Sequence, residues 1–187
     1  MQSELLSNQQ ASNFKANIKT EAPRFGDMTD GVVLQVGDAA PDFSIRDTEG
    51  DLVSLSELNA AGKSVILYFY PRDNTPGCTR QACDFRDGRE LLDAAGHVVL
   101  GVSKDSAASH RKFTDKHGLN FPLLLDEDLD LHTRYGVWRM KKNYGRSYMG
   151  AVRSTFVVGA DGRLVWVGYN VRAKGHFARL TSELRMG

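Results

Sequence analysis

The sequence predicts an α/β protein built on a central mixed sheet with helices on both faces, and three observations carry that prediction. Residues 64–70 (SVILYFY) form a near-continuous run of β-branched and aromatic side chains, the pattern of a strand buried on both sides. Two further apolar runs, VVLGVS at 98–103 and FPLLLD at 121–126, alternate with stretches of helical spacing. STFVVGADGRLVWVGY then reads as a hairpin turning at Ala160-Asp161-Gly162. Strands thus alternate with helices first, and a hairpin and a helix close the chain, an order that suits a mixed sheet covered on both faces.

Composition narrows the function classes. A chain of 187 residues is expected to form one domain with a full core. Its 41% apolar and 25% charged content is that of a soluble globular protein. A net charge of +1 gives no electrostatic ground for a nucleic-acid partner. No apolar run approaches the ~20 residues that span a bilayer. The start, MQSELLSNQQASNF, lacks the basic and apolar regions of a secretory signal, so the chain is expected in the cytoplasm. In that reducing compartment two cysteines point to catalysis rather than to a structural crosslink.

Taken in order, residues 1–31 read as an N-terminal extension. Leu6, Phe14 and Ile18 share a helical spacing there, but Pro23, Gly26 and Gly31 break it. The body spans 32–187. FSIRD and DLVSL flank Thr48-Glu49-Gly50 as an early hairpin. Leu55 to Ala61 reads as a short helical turn. Thr79 to Ala95 has helical spacing with Gly96 as its stop, and Ser106 to His117 is a helix closed by Gly118. Leu129 to Tyr135 is a short helix, GVWRMKKNYGRSYMG a basic, aromatic loop, and Gly175 to Met186 the last helix. There is no internal repeat.

The chain is organised around YFYPRDNTPGCTRQACD, 68–84, which holds both cysteines, Cys78 and Cys83. An apolar strand enters it and a polar helix leaves it, and Pro71, Thr75, Pro76 and Gly77 shape the loop between. A cysteine at the start of a helix meets the orphan N–H groups and the positive end of the helix dipole, which favour a thiolate. The dipole alone is too weak: it supplies roughly 0.3–2 kcal/mol, whereas moving a thiol from about 8.5 to about 6 takes ~3.4 kcal/mol. A nearby cation or strong donors are needed.

FYPRDNTPGCTRQACDFRD resembles the active-site signature of the peroxiredoxins, P-x-x-x-[ST]-x-x-C, and most closely the Q subfamily, the bacterioferritin comigratory protein type, which commonly carries a second cysteine five positions after the first. VGDAAPDFSIRDTEG, FPLLLDED, YGVW and RSTFVVGADG extend the likeness over roughly 35–186. Arg72 stands where the family often has Lys. The resemblance implies a thioredoxin-like fold with N-terminal hairpin insertions. It implies thiol-dependent reduction of hydrogen peroxide and organic hydroperoxides without cofactor or metal, and thioredoxin or a glutaredoxin-like dithiol protein as reductant. By position, Cys78 matches the peroxidatic cysteine and Cys83 the resolving one, while Thr75, Pro71 and Arg153 match the residues that build the peroxide pocket. A monomer or weak dimer is expected.

Physical reasons accompany those matches. Arg153 begins a strand expected beside the central one, and its fork of donors can serve thiolate and peroxide together. The N–H groups of Gly77 and Cys78 and the Thr75 hydroxyl complete the expected donor set, with Gly77 allowing close backbone approach. Residues five apart on a helix have Cα atoms roughly 8.6 Å apart, whereas a disulfide needs less than about 7 Å. If both cysteines are helical when reduced, their bond requires the first turns to unwind.

Plainer readings stand beside these. Cys83 can be a half-buried bystander, Thr75 a simple cap, and Arg153 a surface ion-pair partner. The histidines His97, His110, His117, His132 and His176 are scattered and read as surface or structural, with no metal site. Trp138, Tyr144 and Tyr148 read as packing residues, and the basic stretch Arg139–Arg146 as a solvated loop that can dock an acidic reductant. The competing functions are a thiol–disulfide oxidoreductase, disfavoured because it usually carries C-x-x-C, and a peroxide sensor or chaperone.

Overall fold

The computed structural model describes residues 31–186. All but Gly31 of the expected extension, with its Leu6, Phe14 and Ile18 pattern, lies outside the described residues. The elements run β1 (Ser44–Arg46), β2 (Leu52–Ser54), α1 (Leu55–Ala60), β3 (Ser64–Phe69), α2 (Pro76–Asp87), α3 (Arg89–Ala94), β4 (His97–Ser103), α4 (Ala107–His117), β5 (Leu123–Leu125), α5 (Asp130–Arg134), β6 (Trp138–Asn143), β7 (Arg146–Ala151), β8 (Ser154–Val158), β9 (Leu164–Gly168) and α6 (His176–Glu183).

The main sheet has the order β5-β4-β3-β8-β9, so SVILYFY supplies the central strand as expected. β3 runs parallel to β4 and antiparallel to β8. The sheet is therefore mixed, and the residue just before β8 lies beside the end of β3. Along β3 the side chains alternate between two cores. Val65, Leu67 and Phe69 pack with Leu55 of α1 and Leu131 of α5. Ile66, Tyr68 and Tyr70 pack with Ala82 and Phe85 of α2, Leu92 of α3, Phe113 of α4 and Leu180 of α6. Each of residues 65–70 is at most 1% exposed. Burying each such large side chain contributes about 1.5–3 kcal/mol, which makes β3 the rigid base on which the following loop stands. The early hairpin forms as β1 and β2, antiparallel from Ser44↔Ser54 to Arg46↔Leu52. Ser54 and Ser106 cap α1 and α4 with their hydroxyls, and Gly118 ends α4 in the left-handed conformation.

Two expectations are corrected. The single helix over Thr79–Ala95 starts earlier, at Pro76, a residue pre-set for a first helical position, and is divided at Gly88 into α2 and α3. A Cβ on Gly88 would lie 1.9 Å from the Phe177 ring, so α6 crosses there and the glycine is what lets it. The basic stretch after Gly136 is not a loop: β6 and β7 pair antiparallel from Trp138↔Ala151 to Asn143↔Arg146. Tyr144 and Gly145 take φ of 48° and 77° at its tip, as a two-residue hairpin turn demands.

Candidate active site

The ladder of β3 persists to Tyr70, whose N–H donates to Val102 O at 3.1 Å. The chain then turns through Pro71, half-buried, to Thr75, which is extended (φ −79°, ψ 151°) and caps α2. Pro76 and Gly77 are the first two helical residues and Cys78 the third. The first intrahelical bond runs from Thr79 N to Thr75 O at 2.9 Å, so the N–H groups of Gly77 and Cys78 are among the helix's orphan donors. Cys78 is only 2% exposed and belongs to the core of Tyr68, Tyr70, Ala82 and Phe85.

Arg153, the residue before β8, brings positive charge to this sulfur. One guanidinium nitrogen lies 3.2 Å from Cys78 Sγ and the other donates to Gln81 Oε1 at 2.6 Å. A cation at that distance favours negative charge on sulfur. Gly77 makes room for it: a Cβ there would sit 3.3 Å from the guanidinium. The arginine is thus committed to the cysteine and the glutamine rather than to a surface ion pair.

The Thr75 hydroxyl, expected in the donor set, is engaged with the loop. It donates to Arg72 O at 2.9 Å and makes no bond to the helix N–H groups. Its proton is committed to the loop, so what it offers a ligand is a lone pair, suited to accept from a peroxide O–H. Cys83 lies on a later turn of α2 and is half-buried, and both thiols are free. α2 is unbroken between them.

Three neighbours escaped the sequence reading. Gln81 is 1% exposed and orients Arg153. Its position three residues after Cys78, hence on the same helix face, was the available signal. Lys141, on β6, donates to Ala151 O at 3.1 Å; burial, and then the Arg153 charge, hold its ammonium below the usual lysine range. Tyr68 lies beneath, fully buried and stacked on Phe85 at 4.7 Å; burial pushes its phenol well above the usual range. His110, His132 and His176 are buried rather than superficial. His176 shares a hydrogen bond with Thr155 Oγ1 at 2.9 Å, and burial, with the charge of Arg179, lowers it to about 4. Among the described residues no group of three metal-binding side chains converges, and no helix is long and apolar enough to cross a membrane.

Comparison with known proteins places this geometry in context. Residues 36–167 match the AhpC/TSA family. The chain is 43% identical to peroxiredoxin Bcp of Bacillus subtilis, covering 82% of this chain and 97% of that one. It is 41% identical to peroxiredoxin Bcp of Escherichia coli, over 76% of this chain and 90% of the other. Its fold is similar to that of the Xanthomonas campestris bacterioferritin comigratory protein, studied for alkyl peroxide reduction, with a TM-score of 0.73, 35% identity, and 83% and 98% of the two chains covered. A cysteine-to-serine variant of Xylella fastidiosa PrxQ aligns with a TM-score of 0.77 and 31% identity over 83% and 98%.

Proposed function

The chain belongs to the AhpC/TSA family and is a thiol peroxidase of thioredoxin-like fold, and from that premise we propose that Cys78 is the attacking residue and Cys83 the resolving one. The observation that carries this reading is the Arg153 guanidinium held by Gln81 against Cys78 Sγ, at the start of α2. The Cys78 thiolate attacks the terminal oxygen of a hydroperoxide, the O–O bond breaks, and the departing alkoxide takes a proton to leave as alcohol or water. Arg153 and the orphan N–H groups of Gly77 and Cys78 oppose the charge that moves onto that oxygen. The Thr75 lone pair orients the peroxide O–H, and Pro71 walls the loop. Sulfur gains the oxygen as a sulfenic acid, which condenses with the Cys83 thiol to a disulfide and water.

A thiol reductant closes the cycle. We take thioredoxin, or a glutaredoxin-like dithiol, as the reductant, hydrogen peroxide and organic hydroperoxides as the substrates, and a monomer or weak dimer in the cytoplasm as the working form. The peroxidase body is residues 32–187, with 1–31 as an extension. Peroxide consumption with a thioredoxin recycling system tests the reading in wild type, Cys78→Ser and Cys83→Ser. Both variants are expected to fail in sustained turnover. Full turnover by Cys83→Ser would make Cys83 a bystander, and strong insulin reduction by wild type would favour a thiol–disulfide oxidoreductase.

A further inference from the structure

Beneath the loop that delivers Cys78 lies a buried polar cluster with no part in the chemistry described. Asp73 is 5% exposed and His110, from α4, is 0% exposed. The Asp73 carboxylate accepts from Tyr70 Oη at 2.6 Å and from Ser109 Oγ at 2.8 Å, and it faces His110 Nδ1 at 2.8 Å. Its backbone N–H donates to Asp105 Oδ2 at 2.9 Å, an oxygen that also accepts from Ser103 Oγ at 2.7 Å. The other ring nitrogen of His110 faces Leu124 O at 3.2 Å. Both ring nitrogens of His110 therefore meet oxygen atoms, one from the loop and one from β5. His132 provides the contrast: its Nδ1 meets Asp126 at 2.5 Å while its Nε2 has no partner among the described residues.

The end of β3, the end of β4 and the first turn of α4 thus converge on one loop residue. Asp73 precedes the left-handed Asn74 and the cap Thr75, so its position fixes where the first turn of α2 begins. The same turn must come apart when Cys78 joins Cys83, because helical residues five apart stand too far apart to bond.

We propose that Asp73 and His110 are a positioning pair for the peroxidase reaction: together they fix the loop that sets Cys78 against Arg153, and they are the point at which redox-linked unwinding of α2 stops. This rests on the two-cysteine cycle. The first half-reaction, thiolate plus hydroperoxide and a proton giving sulfenic acid plus alcohol, needs the folded turn. The second, sulfenic acid plus thiol giving disulfide plus water, needs the unwound one. Loosening the anchor therefore moves the two rates in opposite directions, and it also lowers overoxidation of the sulfenic acid by excess peroxide.

Stopped-flow measurement of both phases on the reduced full chain tests this, with His110→Gln and Asp73→Asn set against Val158→Ala, a truncation in the core on the opposite face of the sheet. The peroxide phase is expected to slow about tenfold in the two anchor variants, with the disulfide phase faster and the overoxidised fraction smaller. Val158→Ala is expected to leave both phases unchanged. Tyr70→Phe, which removes one hydrogen bond and keeps the ring packing, gives a smaller shift of the same signs and serves if the other variants do not fold. The proposal is overturned if both phases slow together, if neither changes, or if Val158→Ala reproduces the opposed shifts. If wild type forms no Cys78–Cys83 disulfide, the two-cysteine reading fails. The peroxide phase, which needs Cys78 alone, then still decides the anchor's role.

Discussion

Two turns of one helix, α2, carry the two cysteines, and their surroundings differ. The first turn is tied to a second element: Arg153 reaches Cys78 from the residue before β8, and Gln81 of the same helix holds Arg153 in turn. The later turn carries the half-buried Cys83 and leads to the glycine break at Gly88, where the Phe177 ring of α6 packs. What sets the first sulfur apart is a guanidinium within hydrogen-bond distance. The difference teaches that two identical side chains on one helix are set apart by where along the helix each sits and by what the sheet brings to it.

Replacing each cysteine tests that division most severely. Cys78→Ser is expected to abolish peroxide consumption, whereas Cys83→Ser keeps the first turnover and loses the recycled ones. A single-turnover experiment that finds the first event equally impaired in both would erase the distinction. Next comes Arg153→Ala, expected to lower the second-order rate with peroxide by about 10²–10³-fold, as for loss of a preorganised donor. Arg153→Lys is expected to recover only part of that rate, because one ammonium cannot meet both Cys78 Sγ and Gln81 Oε1 as a planar fork does.

Stability measurements sharpen the comparison at the Cys83 end. His176 lies under α2, its ring 6.1 Å from that of Phe85. Burial lowers it to about 4 in the folded protein, against about 6.5 unfolded. Because the folded value is depressed, the unfolded chain takes up this proton first as pH falls. Stability is full above about 6.5 and is lost down to about 4, by on the order of 3 kcal/mol. Denaturant midpoints measured across that window should fall less steeply in His176→Gln. Gly88→Ala must displace the Phe177 ring and is expected to reduce stability by about 1–3 kcal/mol while leaving the first peroxide turnover unchanged; a slowed first turnover would mean that the two ends of α2 are coupled.

Much of this was legible in the sequence where causes are local. SVILYFY announced a strand buried on both faces, and Pro71, Thr75, Pro76, Gly77 and Cys78 lie together in the chain as they do in space. Arg153 was identified only through the resemblance, since an isolated arginine has no signature of its own. The division at Gly88 was invisible because its cause, Phe177, lies far along the chain. The β6–β7 hairpin was hidden because Lys141, Lys142 and Arg146 interrupt the apolar alternation, although Tyr144-Gly145 was a turn signal. The proton of Thr75 could not be assigned before Arg72 O was located. The Asp73–His110 pair joins residues 37 apart with no motif to link them.

The most direct measurement is amide hydrogen exchange across residues 75–88 in the reduced and the peroxide-oxidised protein. The account predicts strong protection in the reduced form, where α2 is continuous through both cysteines, and loss of protection from Thr75 onward once Cys78 and Cys83 are joined. Equal protection in the two states, with the disulfide verified by mass mapping, would contradict it.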